Sequence, residues 1–250
     1  LEISKPEQIL EKEKILSTII VFGGSNILEN SSAKTKLVKA TKMLEGNPTS
    51  IQLRREKDRL GKLYAMSHYY ESAREFSRIV SRENQKQECR SHVIVTGGGP
   101  GIMEAANRGA FDLDCKSIGL NINIPNEQHP NPFITPGLCL KFNYFALRKI
   151  HFVMRSIAAV FFPGGFGTLD ELFEALTLIQ TRKLAKRLPV VLFGKSFWQE
   201  VLNLEALVRH GTISADDLDL FFETDDVNEA FDFIVKELTE HSLQQPGAVL

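Results

Sequence analysis

The stretch AAVFFPGGFGTLDELFEALTLIQ, residues 158–180, changes character twice. Residues 158–162 are uniformly apolar and read as a strand buried on both faces. Pro163, Gly164, Gly165, Phe166 and Gly167 then turn the chain, and a helix is expected over 168–180. The same grammar recurs upstream. STIIVF at 17–22 runs into Gly23, Gly24, Ser25 and Asn26, and a helix over 32–44 follows, stopped by Glu45-Gly46-Asn47-Pro48. HVIVT at 92–96 runs into Gly97-Gly98-Gly99-Pro100-Gly101, and a helix is expected over 102–110. Further strands are read at 117–124 and 189–193, and a helix at 143–156. Residues 51–88 read as one long or broken amphipathic helix, residues 126–140 as a proline-rich loop, and two amphipathic helices close the chain. Alternating strands and helices imply parallel pairing with right-handed crossovers. The expected fold is a Rossmann-like, doubly wound α/β sheet with helices on both faces, in a single domain over 17–240. Residues 1–16 are expected to form a helical extension and residues 241–250 a flexible tail.

In such sheets ligands bind at the carboxyl ends of the strands, where all three glycine turns fall. A glycine turn feeding a helix exposes N–H groups and the positive end of the helix dipole, which together favour phosphate. The plainer reading is that glycines only permit tight turns. Named nucleotide motifs fail. GxGxxG breaks at Ile102, the P-loop tail Gly194-Lys195-Ser196 has Pro189 where its first glycine belongs, and GxSxG is absent at Gly23. The histidines show no metal-ligand spacing, and His151 is expected to pack or be solvated.

Composition narrows the classes. The 250 residues carry 30 Lys+Arg against 31 Asp+Glu, so no basic excess exists to track a nucleic-acid backbone. Hydrophobic residues at 43% exclude a disordered chain. No apolar run is long enough to span a bilayer, and the charged start LEISKPEQILEKEK does not read as a signal peptide. The first residue is Leu1, which leaves room for upstream sequence. Cys89, Cys115 and Cys139 are odd in number and widely spaced, as expected of free thiols in a reducing cytoplasm.

Residues 163–171 join a glycine turn, a hydroxyl and a carboxylate at fixed offsets: Pro163, Gly164, Gly165, Gly167, Thr168 and Glu171. Here the chain resembles the LOG ("Lonely Guy") family, long mislabelled as lysine decarboxylases, whose signature is PGGxGTxxE. Arg148-Lys149 matches the family's Arg-Lys pair, and Thr96 to Gly99 matches its TGGG turn. The phrases NYFALRK and LTLIQTRK resemble the bacterial nucleotide-nucleosidase branch. The resemblance implies hydrolysis of the N-glycosidic bond of a nucleoside 5′-monophosphate such as AMP, to free base and ribose 5-phosphate, with no metal or cofactor. It also implies a homodimer or larger homo-oligomer.

The same residues suit that chemistry. Breaking a ribosyl C–N bond passes through an oxocarbenium-like state, which a carboxylate stabilises while it activates water. Glu171 is the candidate for that role and Arg148 for orienting it or the substrate. A competing reading makes Thr168 and Glu171 a T-x-x-E capping box, with Thr168 as N-cap. Both roles claim one carboxylate. Lys149 is a candidate for phosphate or ribose. Gly164, Gly165, Phe166, Gly167 and Thr168 are candidates for the phosphate cradle, with Ser25, Gly98 and Gly99 at the other turns. Asn143, Glu127 and the loop around Pro130 are expected over the base, and Asp170 is read as a surface acid. Two alternatives stand beside the leading one: a cytokinin riboside monophosphate hydrolase, and a non-catalytic nucleotide-binding regulator.

Overall fold

The structure, a computed structural model, describes residues 2–85, 90–123, 129–184 and 186–244. Helix α1 (Ser4–Lys12) leads into β1 (Thr18–Phe22), followed by helices α2 (Asn30–Gly46), α3 (Ile51–Ala65) and α4 (His68–Gln85). Strand β2 (Val93–Thr96), helix α5 (Ile102–Phe111) and strands β3 (Ser117–Ile122) and β4 (Cys139–Phe142) follow. Helix α6 (Phe145–Arg155) runs directly into β5 (Ser156–Phe161), then α7 (Phe166–Gln180), β6 (Val190–Phe193), α8 (Lys195–Val201) and α9 (Leu204–Arg209). A 3-10 turn (Ala215–Leu220), β7 (Phe222–Thr224) and α10 (Val227–Gln244) complete the order.

All seven strands pair in parallel, in the order β4-β3-β2-β1-β5-β6-β7. The fold is thus the expected Rossmann-like α/β sheet with helices around it. The chain winds outward from β1 through β4, then returns to the other side of β1 with β5. That reversal between β1 and β5 is the switch point at which a crevice opens above a parallel sheet.

The strands bury both faces, as their apolar runs require. Ile20 and Phe22 of β1 join Phe161, Phe152, Leu172 and Trp198 on one side of the sheet. Ile19 and Val21 join Tyr70, Phe76, Ile102 and Ile234 on the other. The Trp198 indole N–H donates to the carbonyls of Phe161 and Phe193, so the largest core side chain has its polar atom satisfied.

The stretch 51–88, read as one long or broken helix, is broken at Met66 and Ser67, between α3 and α4. Three expectations are corrected. Residues 139–142, assigned to a loop, form edge strand β4, which buries only Leu140 and Phe142 and so shows no long apolar run. Beyond β6 the chain makes more than two helices; β7, three residues long, is too short for its periodicity to register. Helix α10 continues through Gln244, past the expected start of the tail, and residues 245–250 lie outside the described residues.

Candidate active site

Three loops meet above the switch point and hold one another. The Gly24 N–H donates to the Pro163 carbonyl (2.9 Å), and the Ile102 N–H donates to the Gly24 carbonyl (3.2 Å). The turns after β1, β2 and β5 are therefore one hydrogen-bonded unit. Within it, Gly164 backs onto Thr168 so closely that a Cβ would overlap the threonine Oγ1. Gly164→Ala is expected to cost about 2 kcal/mol through overpacking and to lower the thermal midpoint by about 5 °C, read by calorimetry.

A cleft of about 530 Å³ opens over this unit. Its walls include Ser25 and Asn26, Gly97, the run from Gly164 to Thr168, and both Arg148 and Glu171. Helix α7 starts at Phe166, with Gly165 as N-cap and no side-chain capping bond. Thr168 is therefore the third helical residue, not the cap, and Glu171 sits in the second turn. The capping-box reading fails because the N-cap is Gly165, three residues before Thr168. The expectation that Glu171 sits in the first turn fails with it. The first amides of α7, at Phe166, Gly167 and Thr168, lack acceptors inside the helix and belong to residues that line the cleft.

Instead of capping, Glu171 Oε1 accepts a hydrogen bond from Arg148 Nη2 at 3.2 Å. The two side chains are 6% and 12% exposed, so the pair is nearly dry. The Arg148 guanidinium packs over the rings of Phe145 (5.0 Å) and Phe152 (5.6 Å). Its buried Nε has no hydrogen-bond partner among the described residues. Burial pushes the Glu171 carboxyl above the usual carboxylate range, against the pull of Arg148 and Lys149. Burial also draws the Arg148 guanidinium below its ordinary value, against the attraction of Glu171. The cleft thus holds a carboxylate at raised proton affinity, with a fixed cation beside it.

Lys149 does not line the cleft. Its Nζ binds Asp170 (2.8 Å) and Glu174 (2.7 Å) on α7. Burial disfavours its charge, but those two carboxylates outweigh it and raise its value. Asp170 is the surface acid expected, and it also pairs with Lys149. Consecutive helical residues diverge by about 100°, so Arg148 turns inward while Lys149 clamps the flank of α7.

Gly98 and Gly99 also stand back from the cleft. Gly98 (φ +73°) donates to Thr96 Oγ1 and accepts from the Asn131 N–H, while the Gly99 carbonyl accepts from Asn131 Nδ2. They anchor the proline-rich loop. Asn143 bonds Asn123 (2.8 Å) and Glu2, away from the cleft walls. Glu127 lies outside the described residues. His151 is packed, its Nε2 2.8 Å from the Glu2 carbonyl oxygen. Phe166 stands at the rim, 92% exposed. Among the described residues no group of three His, Cys, Asp or Glu side chains could hold a metal ion.

Sequence reasoning missed an apolar wall formed by Ile27, Leu63, Met66, Met103 and Phe197. Leu63 and Met66 were legible only as apolar positions of a helix. Nothing in their spacing says that the α3–α4 corner reaches the cleft.

The fold and cleft define an α/β protein with an anion-favouring crevice at the switch point of a parallel sheet. A family model described as "Possible lysine decarboxylase" matches residues 103–234, and the chain belongs to that family, the LOG family. Among solved structures the chain is similar to TM1055, a structural-genomics target, at 17% identity and a TM-score of 0.51, covering 88% of this chain and 99% of that one. It is similar as well to the molybdenum cofactor carrier protein MCP from Chlamydomonas reinhardtii, at 19% identity and a TM-score of 0.51, covering 89% and 98%. At such identities the likeness is one of fold. No curated protein matches the chain. Lysine decarboxylation by pyridoxal phosphate needs a lysine to hold the cofactor. Among the described residues no lysine lines the cleft, and Lys149 is tied to two carboxylates, so the residues present do not fit that group. No helix among the described residues is long and apolar enough to cross a membrane.

Proposed function

We propose that the chain hydrolyses the N-glycosidic bond of nucleoside 5′-monophosphates of the AMP type. The observation that carries this reading is the nearly dry Arg148–Glu171 pair in a cleft walled by glycine turns. The 5′-phosphate accepts from the first amides of α7, where the helix dipole favours an anion. The ribose then lies against Glu171. As the C1′–N bond breaks, the carboxylate stabilises the positive charge growing on the ring and takes a proton from the attacking water. The base leaves with the bonding electrons and is protonated. Arg148 holds Glu171 in place. The apolar wall receives the base.

A cytokinin-type nucleotide is a substrate variant of the same reaction. A non-catalytic carrier or sensor has one supporting observation, the fold it shares with a molybdenum cofactor carrier. Such a protein would need the glycine turns but not Glu171. Incubating the chain with AMP, GMP, CMP, IMP and N6-isopentenyl-AMP in the presence of a chelator separates these readings. Chromatography should show free base from at least AMP, and the profile ranks the substrates. Tight AMP binding without any base released would leave the carrier reading in place.

The proposal extends to a homo-oligomer in the reducing cytoplasm. Helices α6 and α7 expose Phe145, Ile150, Met154, Phe166 and Phe173, an apolar surface that a second copy would cover. Sedimentation should give at least a dimer, and Ile150→Glu should shift it toward monomer. A wild-type monomer at micromolar concentration would refute this part.

A further inference from the structure

Helices α2 and α3 form an antiparallel hairpin joined by four residues, inserted between β1 and α4. Helix α3 buries no residue, so the hairpin adds little to the core. It borders the cleft instead. A second hollow of about 330 Å³ runs between its two helices, and Asn26 and Leu63 line both hollows. The two hollows therefore adjoin at Asn26 and Leu63, and the second runs outward along the hairpin.

The groove changes character along its length. Near that junction its walls are Leu28, Ala33 and Leu63. Further out stand Lys36, Lys39 and Arg59, with the apolar Leu60, Ala40 and Met43 beside and beyond them. At a rise of about 1.5 Å per residue, these cations lie about 5–9 Å beyond the Ala33–Leu63 level. The one carboxylate in the lining, Glu56, is taken by Arg59 through bonds of 2.8 and 2.9 Å. Among the described residues, Lys36 and Lys39 have no carboxylate within ion-pair distance. The outer groove thus keeps two unneutralised positive charges above an apolar floor.

We propose that this groove is a subsite for an extension of the substrate's base, apolar beside the cleft and anionic at its far end. The inference rests on the nucleotide reading of the cleft. A base seated against Leu63 and Met66 directs a substituent past Asn26 and Leu63 into the groove. A stem of about four to seven bonds spans the apolar floor and brings a carboxylate to Lys36 and Lys39. The hairpin would then select modified nucleotides over plain ones, with Leu63 at the junction.

The test uses four probes with one nucleotide core: AMP, N6-hexyl-AMP, N6-(5-carboxypentyl)-AMP and N6-(6-aminohexyl)-AMP. Binding is measured by calorimetry, which does not depend on turnover. The carboxypentyl compound should bind about fivefold tighter than the hexyl compound, and the aminohexyl compound more weakly than either. The double variant Lys36→Glu, Lys39→Glu should reverse that order and leave AMP binding unchanged. Both positions are exposed, so the fold should tolerate the change. If AMP binds and the three tails show no order by charge, the subsite is refuted while the nucleotide reading stands. The same holds if the order survives in the double variant. If AMP itself fails to bind, the reading of the cleft fails and this inference falls with it.

Discussion

Glu171→Gln lowers kcat for AMP hydrolysis by about a thousandfold while KM changes by less than about threefold. Glutamine keeps the size of the side chain and its acceptor toward Arg148 Nη2, so the packing of α6 on α7 survives. What is lost is the negative charge beside the developing oxocarbenium ion and the base for water. Both matter only in the transition state, so the loss falls on kcat. The variant should stay folded but melt below the wild-type temperature, because the buried Arg148 guanidinium keeps an acceptor and loses its counter-ion. A variant with undiminished kcat would remove Glu171 from the chemistry.

Arg148→Ala has the second large effect, and it reaches both activity and stability. It leaves Glu171 as a buried carboxylate without its guanidinium, an arrangement that typically costs about 3–5 kcal/mol. Burial already raises the Glu171 value, and Arg148 is the main group opposing that rise. Removing Arg148 therefore raises it further. The reaction needs the ionised carboxylate, so the acidic limb of the kcat/KM profile moves to higher pH in the variant. Stability follows the same sign. A carboxyl with a raised folded value binds its proton more tightly folded than unfolded, so stability falls as pH rises from the ordinary carboxylate range through the raised value. The variant should lose more stability against wild type at pH 8 than at pH 5. Adding Glu171→Gln to Arg148→Ala should recover most of the loss at pH 8, since no buried charge remains. An acidic limb that stays put, or a double variant no more stable than Arg148→Ala, would separate the two residues.

The parts of this molecule that were legible in the sequence are those whose physics is local. The apolar runs at β1, β2 and β5 and the glycine turns after them announce strand, turn and helix without tertiary information. The pairing of Arg148 with Glu171 was approachable because both sit in motifs. Lys149 was misassigned for the opposite reason: its role depends on which way α6 is rotated, and only packing sets that rotation. Asp170 and Glu174 on α7 capture it. Thr168 misled through a true local pattern. T-x-x-E is a cap signal, but Gly165 allows the helix to start earlier, and Thr168 is spent packing against Gly164. Gly98 was expected at the site because its glycine turn ends a strand, and Asn143 as cover for the base, whereas their hydrogen bonds go to Thr96 and Asn123. Leu63 and Met66 gave no signal, because a hairpin's apolar residues look alike whether they face a core or a cleft.

The central claim is that this cleft cleaves a nucleotide between base and ribose. The most direct measurement is a proton NMR time course of AMP with the purified protein and chelator, with Glu171→Gln run in parallel. The account predicts that AMP resonances decay as adenine and ribose 5-phosphate appear in equal amounts, and that the variant leaves AMP intact over the same period. AMP that stays whole with the folded wild-type protein, or that is lost at equal rates in both samples, would contradict it.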